Sequence, residues 1–248
     1  MGKQSSAFKL EGNIGGLSFY KTRDGHMARE KGGVSKDRIM TDPKYARTRE
    51  NLKEFSENAR TVKMVKDTIR PAILRIADSR LHNRLIREMM KVLRTDPVNG
   101  RGKRLVAEGD WNLIQGFEIN SSAVLSGSIK TEITVTNNPT EWGFSINSFL
   151  PVDFLSIPLG ATHFKMIAAG ASFDFQAGTK SFILEAGANL PLEELTGAIA
   201  VTILKAGLPE PHRLFIIGIE FLQVVNGQDY AFNSEEHNAA AIVTVEKV

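Results

Sequence analysis

With 248 residues, 42% of them hydrophobic and 24% charged, the chain has apolar material for a core and the length of one large domain or two small ones. It contains no Cys, which excludes a disulfide framework and thiolate chemistry and fits a reducing compartment; no window approaches the roughly 20 uninterrupted apolar residues of a membrane-spanning helix. The net charge of +3 hides a division: residues 1–104 carry 25 Lys/Arg against 12 Asp/Glu, a net +13, and residues 105–248 carry 6 against 16, a net −10.

Such asymmetry points to an anionic partner for the basic part, or to the acidic part of the same protein. The first ten residues have no apolar run behind Lys3, so they do not read as a secretory signal, and a cytoplasmic location is expected. Met1-Gly2 with Ser6 matches the loose N-myristoylation pattern, but a flexible polar leader is the simpler reading. Residues 1–40 are expected to form a β-hairpin arm. Phe8 and Leu10 alternate with Lys9 and Glu11, Leu17 and Phe19 flank Ser18, and Tyr20 follows. Asp24-Gly25 supplies a turn that tolerates positive φ. Gly12, Gly15 and Gly16 point to a bulge or a close backbone approach in the first strand, and Gly32-Gly33 reads as a hinge. Two strands are not stable alone, so the arm must dock on something.

Residues 41–98 read as two amphipathic helices. Thr41-Asp42-Pro43 is a helix start, a capping side chain followed by Pro at the first helical position. Tyr45, Leu52, Phe55, Ala59, Val62, Val65 and Ile69 then recur at helical spacing. Pro71 ends or kinks this helix. Leu74, Ala77, Leu81, Leu85, Met89 and Val92 mark a second, stopping near Asp96-Pro97, so that a helical hairpin or a kinked rod is expected. The Gly-rich, basic stretch 99–105 reads as a linker.

From residue 106 the period switches to two. Ile129, Ile133 and Val135 alternate with polar residues, as do Trp142, Phe144 and Ile146. Phe164, Met166 and Ala168 form a third set, which shifts phase near Gly170 into Ala171, Phe173 and Phe175. Further strands are expected at 182–184, 199–203, 214–217 and 241–245, with turns at Asn137-Asn-Pro, Gly178-Thr, Gly207-Leu-Pro and Asn226-Gly227. The run 214–225 is apolar on both faces and should be a central strand. The fold class is therefore α+β: a hairpin arm and a helical hairpin followed by an antiparallel β-sandwich over 106–248.

The segment Phe8-Lys-Leu-Glu-Gly-Asn-Ile-Gly-Gly-Leu-Ser-Phe-Tyr-Lys-Thr-Arg-Asp-Gly25, with Arg47-Thr-Arg-Glu-Asn51 and Pro158-Leu-Gly-Ala-Thr-His-Phe164, resembles a set of bacteroidete proteins with no assigned activity. The resemblance implies a bacterial cytoplasmic or mobile-element origin and transfers no functional residue.

Chemistry-bearing motifs are few. His26, His82, His163, His212 and His237 include no pair at metal-ligand spacing, and no metal or other cofactor is expected. There is no nucleophile elbow and no phosphate loop, and Gly12-Asn-Ile-Gly15-Gly16 lacks the spacing and the following helix of a dinucleotide fingerprint. The adjacent pairs Glu193-Glu194 and Glu235-Glu236 read as solvated loop carboxylates. No catalytic constellation emerges, so neither an enzyme nor a small-molecule substrate is inferred. One charge pattern is sharper. Arg80, Arg84, Arg87, Lys91 and Arg94 recur every three or four residues and make a basic stripe for an anionic partner, or simply a solvated face. On the first helix, by contrast, Glu50–Lys53 and Glu57–Arg60 are placed to pair at i,i+3. Two functions follow as expectations. The first is a non-enzymatic structural subunit, a homo-oligomer joined head-to-tail through Phe8, Leu10, Leu17, Phe19 and Tyr20 of the arm and through its oppositely charged halves. The second is a sequence-nonspecific nucleic-acid-associated protein using the basic half.

Overall fold

Helices and antiparallel sheets occur in the order that the switch of hydrophobic period predicts, an α+β fold. The computed structural model describes residues 2–30, 33–232 and 236–248. Met1 of the acylation pattern, Gly32 of the hinge and Glu235 of one carboxylate pair lie outside the described residues. Two units divide the chain, Met1–Asn51 and Leu52–Val248.

The first unit contains β1 (Gly2–Lys3), β2 (Gly12–Ile14), β3 (Leu17–Thr22) and β4 (Gly25–Glu30), an antiparallel sheet in the order β1-β4-β3-β2. Asp24-Gly25 makes the β3–β4 turn, with Gly25 at φ 115°. The expected two-stranded arm needs correction on three points. Gly15-Gly16 is not a bulge but the β2–β3 turn, Gly15 having φ 58°. Phe8 and Leu10 lie outside any strand, in the β1–β2 connection. The polar leader is a strand, Gly2 and Lys3 standing opposite Ala28 and Met27. Gln4 sets the path of the β1–β2 connection: its Nε2 donates to the carbonyls of Leu10 and Met27, and its Oε1 accepts from the Leu10 N–H. After β4 comes α1 (Lys36–Thr41), capped by the Ser35 side chain. Asp42 then caps a 3-10 turn at Pro43–Tyr45, the predicted helix start, and α2 (Ala46–Ile73) follows.

In the second unit α3 (Leu81–Arg94) comes after α2, and two short helical turns, α4 (Leu125–Ser128) and α5 (Pro151–Phe154), punctuate the β region. Strands β5 (Thr134–Asn137), β6 (Glu141–Ile146) and β10 (Ile199–Leu204) form a three-stranded sheet, β10-β6-β5. A larger sheet is built on β7 (His163–Asp174) and β11 (His212–Val225). On the far side of β7 lie β8 (Thr179–Ala186) and β9 (Leu190–Pro191); on the far side of β11 lie β12 (Gln228–Ala231) and β13 (Ala239–Lys247).

This larger sheet is the middle layer of three, which is why β11 is apolar on both faces. Leu214 and Ile216 share a core with Val65, Ile69, Leu85 and Met89 of the helices. Phe215, Ile217 and Ile219, on the other face, share one with Trp142, Phe144 and Ile203 of the smaller sheet. Strand β7 behaves the same way: Phe164, Met166 and Ala168 face the smaller sheet, and Ile167, Ala169, Ala171 and Phe173 the helices. The expected phase shift at Gly170 is therefore no break in register, since β7 pairs with β11 without interruption from His163 to Phe173. Gly170 is small because the facing layer is close; a Cβ there would stand 2.6 Å from Leu208 Cδ1 and 2.8 Å from Ile203 Cγ2.

The stretch 99–105, expected to be a linker, is held down by two buried carboxylates. Asp96 accepts from the backbone N–H of Val98, Asn99 and Leu105, and Glu54 accepts from the Gly102 N–H. No boundary between units falls there; the helices and the larger sheet share one core. The apolar stripe of α2 also needs correction in its first half. Leu52 and Phe55 are each 50% exposed, while Glu54, Asn58 and Thr61 are buried. The polar residues turn inward because they have partners there: Glu54 holds the 102–104 turn, and Asn58 Nδ2 donates to the Ile86 carbonyl. No helix among the described residues is long and apolar enough to cross a membrane.

Candidate functional site

Two sets of residues carry the expected functions, one on each unit. In the first unit the register of β2, β3 and β4 sorts side chains by face. Ile14 stands opposite Leu17, Leu17 opposite Glu30, Gly12 opposite Phe19 and Phe19 opposite Ala28. Ile14, Leu17, Phe19 and Ala28 thus lie on one face, and Ser18, Tyr20, Met27 and Arg29 on the other. The second face carries its own contact, Arg29 lying over the Tyr20 ring at 5.5 Å. On the first face Ile14 is 55% and Leu17 43% exposed, and in the β1–β2 connection Phe8 reaches 84% and Leu10 43%. Of the five arm residues, Leu17 and Phe19 share the apolar face, Tyr20 points the other way, and Phe8 and Leu10 are in the connection. Ile14 was not anticipated; its position two residues after Gly12 was the available signal.

Not one described residue of this unit is buried. A stable domain packs two layers around a core, and a single sheet with four exposed large apolar side chains has only one. The unit carries 11 Lys/Arg against 6 Asp/Glu, a net +5.

The basic stripe of α3 divides once its side chains are placed. Arg84 is turned inward. It pairs with Asp78 at 2.7 Å, donates to the carbonyls of Glu118 (2.6 Å) and Ile119 (2.8 Å), and lies over the Phe117 ring at 5.1 Å. Arg87 and Lys91 both pair with Glu88. Arg80 and Arg94 are exposed and make no ion pair within the described residues. Asp78 shows the electrostatics of the α2–α3 turn. Burial works to raise its pKa, but hydrogen bonds from the Ser121 N–H and hydroxyl and the Arg80 N–H, with the Arg84 charge, hold the carboxyl below its ordinary value. Of the pairs expected on α2, Glu57 meets Arg60, and Glu50 meets Arg47 in its own turn.

Elsewhere, His212 is buried with its Nε2 2.8 Å from the Ala107 carbonyl and its ring against Trp111 and Phe175. Burial pushes its pKa down. Lys205 Nζ lies between Glu246 and Asn137 and over the Trp142 ring. Both arrangements bind layer to layer. Among the described residues no three His, Asp or Glu side chains are grouped as a metal ion would require. No protein-family model, curated protein or solved structure matches this chain.

Proposed function

We propose that the chain is a non-enzymatic structural subunit that assembles with copies of itself through its N-terminal sheet. The observation that carries this reading is the single-layer unit, whose described residues include no buried side chain and whose apolar face presents Ile14, Leu17 and Phe19. The occupant of that face is the β region of a second copy. Residues 105–248 carry −10 against +5 on the unit Met1–Asn51, a complementarity that steers approach and sets orientation. The same region offers an open edge, since β5 ends its sheet and all four of its residues are exposed; unpaired strand edges recruit further strands. The contact is head-to-tail, so it propagates into rings or filaments.

The test uses the full chain with Ile14→Glu and Leu17→Glu together. Sedimentation and negative-stain microscopy are run from low salt to about 1 M, where the Debye length falls to ~3 Å. Wild type is expected as high-mass species that shrink with salt, and the variant as a single subunit under all conditions. A wild type that is a lone particle at every ionic strength ends the proposal. An alternative reading, phosphate contact through the basic helix, rests on the exposed Arg80 and Arg94. It predicts a low-salt gel shift with nucleic acid that Arg80→Gln with Arg94→Gln abolishes.

A further inference from the structure

Where α2 meets α3 there is a cavity of about 350 Å³ lined by Lys66, Arg70, Ile73, Leu74, Leu81 and His82, among others. That size falls at the lower end of the ~300–1,000 Å³ typical of small-molecule sites. Its floor is apolar, Ile73 and Leu81 being buried. Its rim is cationic: neither Lys66 nor Arg70 makes a direct hydrogen bond or ion pair within the described residues, and Lys66 is half-buried.

The two carboxylates that also line the cavity are engaged elsewhere. Asp67 binds Lys63 at 2.9 Å, and the charges of Lys66 and Lys180 also help to hold its carboxyl below the ordinary value. Asp78 is held by Ser121, Arg84 and the Arg80 N–H. Arg70 sits in the last turn of α2, where the carbonyl end of the helix attracts a cation. That accounts for one positive charge; the other, on Lys66, acts on Asp67 without pairing with it directly.

We infer that this cavity binds a small organic phosphate, its dianionic head between Lys66 and Arg70 beside His82 and its apolar portion on Ile73 and Leu81. Two cations match a dianion; a carboxylate would leave one of them uncompensated. The apolar floor selects an ester with a hydrocarbon or aromatic part over the bare ion. The site lies wholly within the second unit and is independent of the assembly reading.

Phenyl phosphate is titrated into the full-length protein while the His82 ring resonances are followed by NMR, with inorganic phosphate in a parallel titration. The expected result is a saturable shift of His82, with affinity weakened about tenfold by Lys66→Gln or by Arg70→Gln and unchanged by the distant Arg94→Gln. Inorganic phosphate should bind at least about tenfold more weakly than the ester. The inference is overturned if His82 shows no saturation by on the order of 10 mM phenyl phosphate. It is equally overturned if the two variants bind as wild type does, or if the bare ion binds as tightly as the ester.

Discussion

Replacing Arg84 with Ala separates a structural arginine from a partner contact. The side chains of Arg84 and Asp78 are 17% and 5% exposed, so the substitution leaves a buried carboxylate without its counter-charge and the carbonyls of Glu118 and Ile119 without their donor. Breaking a buried ion pair from one side costs about 3–5 kcal/mol. Asp78 keeps three hydrogen bonds, from the Ser121 N–H, the Ser121 hydroxyl and the Arg80 N–H, which places the loss near the lower end, about 3 kcal/mol. For a chain of this size each kcal/mol moves Tm by about 2–4 °C, so a fall of roughly 6–12 °C is expected. The assay is urea and thermal unfolding followed by the fluorescence of Trp111 and Trp142, both buried in the second unit. Arg87→Ala, which removes an exposed side chain paired with Glu88, is the control and should cost less than about 0.5 kcal/mol. Should Arg84→Ala cost under about 1 kcal/mol, or match the control, Arg84 is not a structural residue and the stripe is a free surface after all. The pair also has a pH signature. Because the folded pKa of Asp78 lies below 3.8, its stabilisation is complete above that value and is lost as pH falls beneath it.

The remaining expectations concern a histidine and a glycine. His212 has a folded pKa below 6.5, so the unfolded chain takes up the proton first and stability falls as pH drops below 6.5. His212→Phe should flatten that slope in equilibrium unfolding, since the Ala107 carbonyl still accepts from Lys247 Nζ; an unchanged slope would assign the effect elsewhere. Gly109→Ala places a Cβ 2.1 Å from the Val92 carbonyl oxygen, at an ordinary φ of −79°. The cause is close approach alone, and the loss should reach about 3 kcal/mol by overpacking. Gly100→Ala meets nothing within 4 Å and should stay within about 0.5 kcal/mol of wild type; equal melting curves for the two variants would refute the steric argument.

Several elements were legible because their signals are local. Trp142, Phe144 and Ile146 alternate and form β6; Asn226-Gly227 is a turn with both φ values positive; Asp42 before Pro43 caps the turn that opens α2. Within the double-faced run 214–225, residues 214–222 are buried on both sides of a central strand, as anticipated, while Gln223 and Val225 at its end are exposed. Other readings failed where the deciding partner is distant in the chain. Leu52 and Phe55 look like core in a helical repeat, yet Glu54 and Asn58 are buried in their place because Gly102 and Ile86 await them. The 99–105 stretch has the composition of a linker, but Asp96 and Glu54 fasten its backbone. Arg84 is spaced like its neighbours on α3, and only the carbonyls of Glu118 and Ile119 distinguish it.

The periodicity of apolar residues and the chemistry of Gly, Asn, Asp and Pro, read from sequence, determined the class of the fold and most strands and turns of its β region, since both act over a few residues; Ile129 and Ile133 alternate like a strand, yet Ile129 ends α4 and β5 begins only at Thr134. The tertiary structure alone decided that the basic helices and the acidic sheets are layers of one unit. It also decided which polar side chains go inside and which arginines remain free. Those outcomes depend on burial, and a group enters the interior only where a partner from a remote part of the chain meets its hydrogen bonds or its charge.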